Sequence, residues 1–505
     1  MTPGRSLYNG EAVPLKEVPC LPESEFRQAV IESVKNGGRI AAFFAVPSGD
    51  GFQLFSVIAR SETGLLSVAS AMVGDSYAAI SPECPQAQLF EREIAEQWRI
   101  EPKGHKWLKP VRFQRPLRGG KDLWPRQSKP ECGVMDYFQM TGEEVHEVAV
   151  GPVHAGIIEP GHFRFQCHGE TVYHLEISLG YQHRGVERAL LGGPDRKTLQ
   201  FMQTLAGDTT IGHTMACCHA LEALGQERVP ARAQVIRGIA LELERMANHI
   251  GDLGALAGDV GYLPTMSFCG RIRGDVLNLT AALCGNRFGR GLVVDGGVDC
   301  DIDDGVVQQM RSRLEAAIVD AEEAIGLLWE SPSVLARFEG TGPVDRPVAM
   351  EIGLVGVAAR ASGVQIDTRH DYPFGIFKMV HLPVAAWNTG DVFARAFVRW
   401  QEIRQSATFV LDQLRALPSG PACAGGGDAG RLPENHLAVS LIEGWRGEIC
   451  HVAVTDKQGK FGHYKVVDPS FHNWFGLAYA LRNQQISDFP LCNKSFNLSY
   501  CGHDL

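Results

Sequence analysis

The most constraining feature of this sequence is the stretch 231–257, in which apolar side chains recur every three to four positions. This spacing places them on one face of an α-helix, so the segment is predicted to be a long helix packed against a core. A second face carries ionisable side chains at the same spacing, namely Glu242, Arg245, His249 and Asp252. Two interpretations stay open for this polar face: a solvated surface with pairs four residues apart, or a buried polar network.

Similar patterns predict further helices and a set of short strands, and the expected fold class is α+β. The additional helices are expected at 210–224, 303–329 and 391–417. The strands are expected at 147–150, 163–167 and 171–177.

Residues 1–125 are predicted to form a small α/β domain. A short helix is expected at 25–35, and two apolar runs flank the Gly-containing turn 47–51, which is the pattern of a β-hairpin. Residues 108–131 are rich in Pro, Gly and basic side chains, a composition typical of linkers. The domain boundary is therefore placed there, and residues 126–505 are predicted to form a large, mainly helical domain with peripheral β-strands. A flexible loop is expected at 424–430.

Composition argues against several functional classes. The 505 residues include 48 basic and 58 acidic side chains, a net charge of -10, which argues against a nucleic-acid partner. No apolar run reaches the roughly 18 residues that a membrane span needs, and residues 1–5 lead into no apolar segment of a signal peptide. The 13 cysteines form no CxxC motif, and their odd number argues against a disulfide framework. A cytosolic protein that docks on a membrane partner is expected.

Four motifs follow one another along the chain. They are Glu-Arg-Glu at 91–93 ahead of Gly104-His105, the turn-rich GPVHAGIIEPGHFR at 151–164, His-Arg-Gly at 183–185, and Arg-Ala-Ser-Gly followed by Asp-Thr-Arg at 360–369. In this order the motifs resemble the large subunit of membrane-bound, energy-converting nickel–iron hydrogenases, as in formate hydrogenlyase, fused to the small hydrophilic subunit of respiratory complex I. The first motif departs from the complex I signature at Arg99, where that family has glycine.

The resemblance gives the second and third motifs roles in proton and electron transfer. In hydrogenases the glutamate that matches Glu159 passes protons to and from the metal site, so Glu159 is a candidate proton relay. In complex I the arginine of His-Arg-Gly lies against the terminal iron–sulfur cluster of a neighbouring subunit, where a fixed cation raises the cluster's potential. His183 and Arg184 are therefore candidates for contact with a partner's cluster. Solvent-exposed loop residues are the alternative for both motifs.

The resemblance also locates a first pair of metal-ligand positions in which the ligands are missing. Hydrogenases have Cys-x-x-Cys-x-x-x-His in the stretch that this chain occupies with residues 205–213. With His213 in register, the cysteine positions fall on Ala206 and Thr209. Neither a methyl group nor a hydroxyl replaces a thiolate as a ligand of a soft metal. A hydrogenase-like scaffold without its nickel–iron centre is therefore expected.

The second pair of ligand positions lies at the C-terminus and is also without thiolates. Aligning the terminal Asp-Leu places Asn493 and Phe496 at the two cysteine positions. A shift of one residue brings Cys492 to the first position but leaves Ser495 at the second. Under either alignment the four-thiolate set is incomplete, and no metal ligand is expected in this chain.

The fourth motif faces the inner cavity in hydrogenases. Arg360 and Arg369 with Asp367 are therefore expected to form charge-assisted hydrogen bonds there. The alternative is a surface ion pair, which contributes little to stability.

Quinone binding in complex I uses a histidine of the first loop and a tyrosine of the stretch that matches 205–213. Here His154 matches the first histidine of that loop, Pro160 falls at the second, and the tyrosine position falls near Gly207. His162 lies close by as a substitute. Neither usual donor to a quinone headgroup is therefore kept at its position. A redox subunit that acts on quinone or another small acceptor in the vacated cavity is one of three hypotheses. The candidate catalytic residues are His154, Glu159, His213, Arg360, Asp367 and Arg369.

These implications together give a hypothesis about function. The chain is expected to be the hydrogenase-like large subunit of a membrane-associated, complex I-related oxidoreductase, of NADH–quinone or hydrogenase type, that couples electron transfer to ion movement. Its expected partners are a small subunit with a 4Fe–4S cluster, ferredoxin-like subunits and antiporter-like membrane subunits, on the cytoplasmic side of the inner membrane. No cofactor is expected in this chain itself. The alternatives are a non-catalytic structural or coupling subunit and a true hydrogenase.

Overall fold

A computed structural model describes residues 4–118, 123, 131–424 and 432–505. The fold is α+β, as predicted. Its helices are α1 (Glu23–Lys35), α2 (Gln88–Trp98), α3 (Val186–Ala189), α4 (Thr198–Met202), α5 (Thr210–Gly225), α6 (Ala231–Asp259), α7 (Leu263–Cys284), α8 (Asp304–Glu330), α9 (Pro332–Phe338), α10 (Arg346–Ile352), α11 (Gly356–Ala361), α12 (Thr368–Asp371), α13 (Val392–Arg415), α14 (Pro469–Ala480), α15 (Phe489–Phe496) and α16 (Tyr500–Asp504).

Its strands are short apart from one N-terminal meander. They are β1 (Arg5–Leu7), β2 (Ala12–Pro14), β3 (Cys20–Leu21), β4 (Arg39–Ser48), β5 (Gly51–Arg60), β6 (Leu65–Val73), β7 (Ser76–Ala78), β8 (Glu101–Lys103), β9 (Val145–Val150), β10 (His162–His168), β11 (Thr171–Ser178), β12 (Val293–Val294), β13 (Gly297–Val298), β14 (His436–Glu443), β15 (Glu448–Thr455) and β16 (Phe461–Val467). Among the described residues, no helix combines the length and apolarity needed to cross a bilayer.

The long helix predicted from apolar periodicity is α6, and it lies at the centre of the helical core. It packs between α7 and α13, and α15 also contacts it. The predicted helices at 210–224, 303–329 and 391–417 are confirmed as α5, α8 and α13. Helices α8 and α13 begin where Asp303 and Asp391 accept hydrogen bonds from backbone N–H groups of the first turn. Sequence patterns did not predict α7, in which two glycines and a proline interrupt the apolar spacing.

The predicted N-terminal hairpin is confirmed, with a shorter turn than expected. Strands β4 and β5 pair antiparallel, and Ser48 lies opposite Gly51, so Gly49 and Asp50 alone form the turn. A two-residue turn needs a backbone that suits the strand twist, and Gly49 supplies it with φ of 58°. The hairpin belongs to a sheet ordered β1-β6-β5-β4, which α1 covers.

A second sheet is buried, which corrects the prediction that the strands of the large domain are peripheral. Its order is β16-β15-β14-β2, and every residue of β15 is buried. Strand β2, from the N-terminal region, pairs with β14, which lies more than four hundred residues later in the chain. Apolar side chains of β14 and β15 share one core with those of β4, β5 and α1. Sequence periodicity underestimated these strands because residues buried on both faces lose the alternation of a half-buried strand.

A third sheet, ordered β11-β10-β9, contains the three strands predicted at 147–150, 163–167 and 171–177. It carries the loop 151–161, which holds His154 and Glu159. Residues 119–122 and 124–130 of the predicted linker and 425–430 of the predicted loop lie outside the described residues. The domain boundary near residue 125 stays a prediction.

Candidate functional site

The segment at the first pair of ligand positions is buried and leads directly into α5. Ala206 and Thr209 are both shielded from solvent. The carboxyl of Glu244 on α6 accepts hydrogen bonds from the backbone N–H groups of Ile211, at 2.7 Å, and Gly212, at 3.2 Å, and so caps α5. Burial raises the pKa of Glu244 to about 8. This side chain therefore holds its proton at neutral pH.

The two ligand segments are joined by an arginine from the turn after β14. Arg446 donates from Nη1 and Nη2 to the carboxylate of Asp208, at 2.7 and 2.8 Å. Its Nε donates to the carbonyl of Asn497 at 2.5 Å. Its guanidinium lies 3.9 Å from the ring centroid of Trp445, and the indole Nε1 of Trp445 donates to the hydroxyl of Thr209. A fixed organic cation thus lies between the segments that carry the thiolates in hydrogenases.

The second pair of ligand positions lies on α15 and supplies no sulfur donor. Asn493 is half-buried, and Phe496 lies under the guanidinium of Arg395, 4.2 Å from its ring centroid. The neighbouring thiol of Cys492 lies against Gly342, and burial raises its pKa to about 12. The alignment shifted by one residue therefore supplies no ligand either.

A nickel–iron centre does not fit these donors. The hydroxyl of Thr209 is engaged by Trp445 and Asp208, and Ala206 has no donor atom. The thiol of Cys501 lies 3.4 Å from the hydroxyl of Ser499, and burial raises its pKa to about 12, far from the thiolate that a metal needs. Among residues 4–118, 123, 131–424 and 432–505, no three His, Cys, Asp or Glu side chains converge as metal ligands would.

The loop 151–161 meets the C-terminal helix α16 through two contacts. The Nε2 of His154 and the hydroxyl of Tyr500 are 3.2 Å apart, and the Glu159 carboxylate accepts from the backbone N–H of Cys501 at 3.2 Å. Burial lowers the pKa of His154 and raises that of Tyr500 to about 12. Both side chains are therefore neutral at pH 7. An imidazole and a phenol, beside a carboxylate, are suited to donate hydrogen bonds to a small carbonyl compound.

His213, on α5, belongs to a buried chain of hydrogen bonds. Its Nε2 lies 3.0 Å from Oδ2 of Asp468, and its Nδ1 lies 3.1 Å from Nε2 of His451. The Nδ1 of His451 lies 3.0 Å from the hydroxyl of Tyr464. His213 therefore lies beside the vacated ligand positions with polar partners at both nitrogens.

The polar face of α6 is a buried network, so the alternative of a solvated face was wrong. Glu242, Arg245, His249 and Asp252 are all buried. The Nη1 of Arg245 and the Nε2 of His249 contact the same carboxylate oxygen of Glu402, at 3.4 and 2.8 Å. Burial of four charged or polar side chains is tolerated here because each is paired.

The fourth motif joins the same network, so the alternative of a surface ion pair was also wrong. Arg360 donates to the carboxylates of Glu402, at 2.6 Å, and Glu443, at 2.7 Å. Arg369 donates to Asp367 at 2.6 Å. Burial raises the pKa of Glu443, whereas the neighbouring guanidiniums hold the pKa of Asp367 at about 2 despite its burial. The structure thus brings the predicted trio together as interior charge pairs.

His183 and Arg184 lie at the edge of the site. His183 Nδ1 is 2.8 Å from the carbonyl of Asp504, and Arg184 donates to the carbonyls of Thr204 and Leu205 at 2.6 and 2.8 Å. Arg184 is exposed, and its hydrogen bonds to these two carbonyls fix the backbone just before Ala206. An exposed position at the edge of the site is compatible with contact to a partner subunit. The contact of His183 and Arg184 with a partner's cluster stays a prediction.

A cavity of about 490 Å³ lies elsewhere, between α5, α6 and the segment after α12. Met215, His219, Arg237 and Phe374 are among its lining residues, and none of the predicted site residues lines it. The space between the two ligand segments is instead occupied by the side chains of Arg446 and Trp445.

Several functional candidates were not predicted from the sequence. Arg446, Tyr500, Asp468, His451 and Glu402 lie outside the motif residues, and their partners are more than one hundred residues away. One sequence signal pointed toward Tyr500: the C-terminal segment around it departs from the hydrogenase motif with which it aligns.

Comparison with known proteins gives similarity to two kinds of subunit. The family of the respiratory-chain NADH dehydrogenase 49 Kd subunit matches residues 259–428. Carbon monoxide-induced hydrogenase of Rhodospirillum rubrum is 31% identical over 356 residues, which cover 70% of this chain and 97% of that protein. Formate hydrogenlyase subunit 5 of Escherichia coli (strain K12) is 28% identical over 442 residues, 84% of this chain and 76% of that protein. NADH-quinone oxidoreductase subunit 4 of Thermus thermophilus is 30% identical over 370 residues, which cover 68% of this chain and 90% of that protein.

Proposed function

This chain belongs to the family of complex I 49 Kd subunits and membrane-bound hydrogenase large subunits, and from that premise we propose that it transfers electrons to a quinone-type acceptor. The observation that carries the proposal is the contact between His154 and Tyr500. Loss of the thiolates at Ala206 and Thr209 removes hydrogen chemistry, and one relative of this chain is by name a quinone oxidoreductase subunit. The proposed reaction adds two electrons and two protons to a quinone and yields a quinol.

The geometry of the pair supports binding of the acceptor headgroup. Because Tyr500 keeps its proton and His154 is neutral, both groups can donate to a carbonyl oxygen that enters between them. Donors fixed in a partly buried site stabilise the oxygen anion that forms as the acceptor is reduced. Glu159, on the loop 151–161, accepts a hydrogen bond from the backbone N–H of Cys501 on α16 and is the proposed proton carrier.

The proposed partners follow from the exposed parts of the same loop. Val153 and Ile157 are exposed apolar side chains on the loop that holds His154. These side chains and the exposed Arg184 are the proposed contacts of a small iron–sulfur subunit, whose 4Fe–4S cluster is the proposed electron donor. Ferredoxin-like and antiporter-like membrane subunits complete the proposed complex. It lies peripherally on the cytoplasmic side of the inner membrane, and this chain holds no cofactor.

The proposed domain arrangement is a fusion. We infer that residues 1–125 correspond to the small hydrophilic subunit of complex I and residues 126–505 to the hydrogenase-like subunit. Similarity to formate hydrogenlyase subunit 5 over 84% of this chain supports this division.

The test is reduction of a short-chain ubiquinone analogue by the purified complex. Removal of one fixed donor to a developing oxyanion typically lowers kcat by about 100-fold or more, so Tyr500→Phe and His154→Gln are each expected to lower the rate by about that factor. Tyr173→Phe, on the exposed surface of β11, is the matched control and is expected to leave the rate unchanged. Equal rates in Tyr500→Phe and wild type contradict the proposal.

A second function, a non-catalytic coupling subunit, is favoured by a different observation. Arg446, Asp208 and Asn497 close the space between the two ligand segments with hydrogen bonds. In this alternative the chain transmits the charge of a partner's cluster without binding an acceptor. A complex that passes electrons onward but reduces no quinone analogue supports this alternative.

A further inference from the structure

The cavity of about 490 Å³ between α5, α6 and residues 374–378 takes no part in the proposed acceptor site, because neither His154 nor Tyr500 lines it. Its volume falls within the roughly 300–1,000 Å³ that is typical of small-molecule sites. Its wall comes from distant parts of the chain, from Gly10 near the N-terminus to Ile442 on β14. The fold therefore builds a second enclosed space with room for a small molecule.

One part of the wall is apolar. Phe374 and Phe377 contribute aromatic rings whose centroids are 5.0 Å apart. Met215 on α5 and Ile442 on β14 are buried lining residues. Contact with these side chains removes apolar surface of a ligand from water, which is favourable. This part of the wall therefore fits a ligand with an apolar or aromatic body.

The buried ion pair of the wall is already satisfied. Glu222 accepts from Nη1 and Nη2 of Arg237, at 3.2 and 2.6 Å, and from the backbone N–H of Gly296 at 3.1 Å. Arg237 also donates to the carbonyls of Gly297 and Val294, at 2.9 and 2.5 Å. The two charges therefore neutralise each other within the wall, and recognition of a ligand depends on other groups.

His219, on α5, supplies a hydrogen-bond donor. Its Nδ1 lies 3.0 Å from the hydroxyl of Ser440, which is fully buried and has no other hydrogen-bond partner among the described residues. That hydroxyl donates to Nδ1, because a buried donor without a partner is costly. Burial, with the nearby charges of Lys378 and Arg237, lowers the pKa of His219 to about 3, so the neutral ring carries its proton on Nε2. The Nε2 lies against Gly10, which lines the same cavity.

The charge around this donor favours an anion. The two charged side chains that act on the His219 ring, Lys378 and Arg237, are both cations. Lys378 and Arg228 are exposed lining residues that form no salt bridge with any described residue. The carboxylate of Glu227, which also lines the cavity, lies against Gly296. A positive potential at Nε2 therefore attracts a negatively charged group.

We propose that this cavity binds a small organic carboxylate, with its carboxylate between the Nε2–H of His219 and the ammonium of Lys378, and its apolar body against Phe374, Phe377 and Met215. Both polar contacts are donors, and hydrogen bonds to an ionised acceptor are stronger than those between neutral groups. The proposal goes beyond acceptor reduction and does not depend on it.

The test is equilibrium dialysis of the purified complex at about pH 7 with 2-naphthoate and with its neutral analogue 2-naphthamide. Wild type is expected to bind 2-naphthoate more tightly than 2-naphthamide. Lys378→Gln removes a charged donor and is expected to weaken 2-naphthoate binding about tenfold while leaving 2-naphthamide binding unchanged. Lys457→Gln removes the same charge from the exposed turn between β15 and β16, and it should bind both probes as wild type does.

A second variant locates the probe inside the cavity. His219→Phe keeps an aromatic ring but removes the donor, and it is also expected to weaken 2-naphthoate binding about tenfold. Thermal unfolding shows whether this variant folds. The exposed position of Lys378 keeps the first comparison valid if it does not.

Three results overturn the proposal. They are the absence of saturable 2-naphthoate binding to wild type, equal affinities for the two probes, and an affinity for 2-naphthoate that Lys378→Gln leaves unchanged. Reduction of a quinone analogue by the same preparation reports separately on the proposed function. A complex that binds 2-naphthoate as expected but reduces no quinone keeps the carboxylate site and rejects the acceptor, and the opposite pair of results does the reverse.

Discussion

The guanidinium of Arg446 donates two parallel hydrogen bonds to the carboxylate of Asp208, at 2.7 and 2.8 Å, between the two segments that hold metal ligands in hydrogenases. A third bond, from its Nε to the carbonyl of Asn497, ties the C-terminal segment to the same cation. The side chain is buried and stacked on Trp445. The fold therefore joins these two segments through a buried arginine.

Replacement of this cation should destabilise the protein. Arg446→Leu leaves the Asp208 carboxylate unpaired; because that side chain is 34% exposed, we expect a loss of about 2 kcal/mol rather than the larger cost of a fully buried pair. Urea denaturation measures the change. Arg446→Lys keeps the positive charge but loses the two parallel donors. Its free energy of unfolding should lie between those of wild type and Arg446→Leu. A stability of Arg446→Leu equal to wild type contradicts this role.

The interior charge network should be far more sensitive than surface pairs of the same kind. Glu402 contacts Arg245, His249 and Arg360, and all four are fully buried. Glu402→Gln removes the charge that compensates two arginines and is expected to cost about 3 kcal/mol in the free energy of unfolding. The matched control is Glu322→Gln, whose pair with Arg404 is half-exposed and worth at most about 1 kcal/mol. Similar losses of unfolding free energy in both variants would show that the buried network stabilises the fold no more than a surface ion pair does.

The pH dependence of stability should reflect the cap of α5. Glu244 has an ordinary pKa of 4.5, raised by burial to about 8 in the folded state. Between these values the folded chain binds the proton and the unfolded chain does not, so this contribution to stability is complete below about pH 4.5 and lost as pH rises to about 8. Urea midpoints measured across that window should fall for wild type and fall less for Glu244→Gln. Identical slopes contradict a protonated Glu244.

Cysteine reactivity provides an independent test of the absent thiolates. Burial raises the pKa of both Cys492 and Cys501 to about 12. Because the thiolate is the reactive form, iodoacetamide at pH 7 should leave both unmodified in the native chain while it labels the exposed Cys20. Mass spectrometry of tryptic peptides measures the extent of iodoacetamide modification at each cysteine. Rapid labelling of Cys492 or Cys501 at pH 7 would show an accessible thiolate in the C-terminal segment and contradict this expectation.

Local periodicity was enough to predict the helices that position the site. Apolar spacing identified α5, α6, α8 and α13 because each presents one continuous face to the core. The motif that includes Arg360 and Arg369 was correctly expected to lie in the interior. The buried sheet was harder to predict, because β14 and β15 are apolar on both faces and one neighbour, β2, comes from the other end of the chain.

The partners of the site residues could not be predicted from local patterns. His213 lies 238 positions before His451 and 255 before Asp468. Tyr500 lies 346 positions after His154. Spacing along a helix or strand carries no information on pairs this distant, so the resemblance supplied one member of each pair and the fold supplied the other.

The most direct test of the central claim, a hydrogenase-like site without its nickel–iron centre, is elemental analysis of the purified complex. No thiolate is provided by Ala206, Thr209, Asn493 or Phe496, so we expect iron from the partners' clusters and no nickel above background. Nickel equimolar with this chain would contradict it. That result would return hydrogen chemistry to the site and require Cys492 or Cys501 to move toward Asp208.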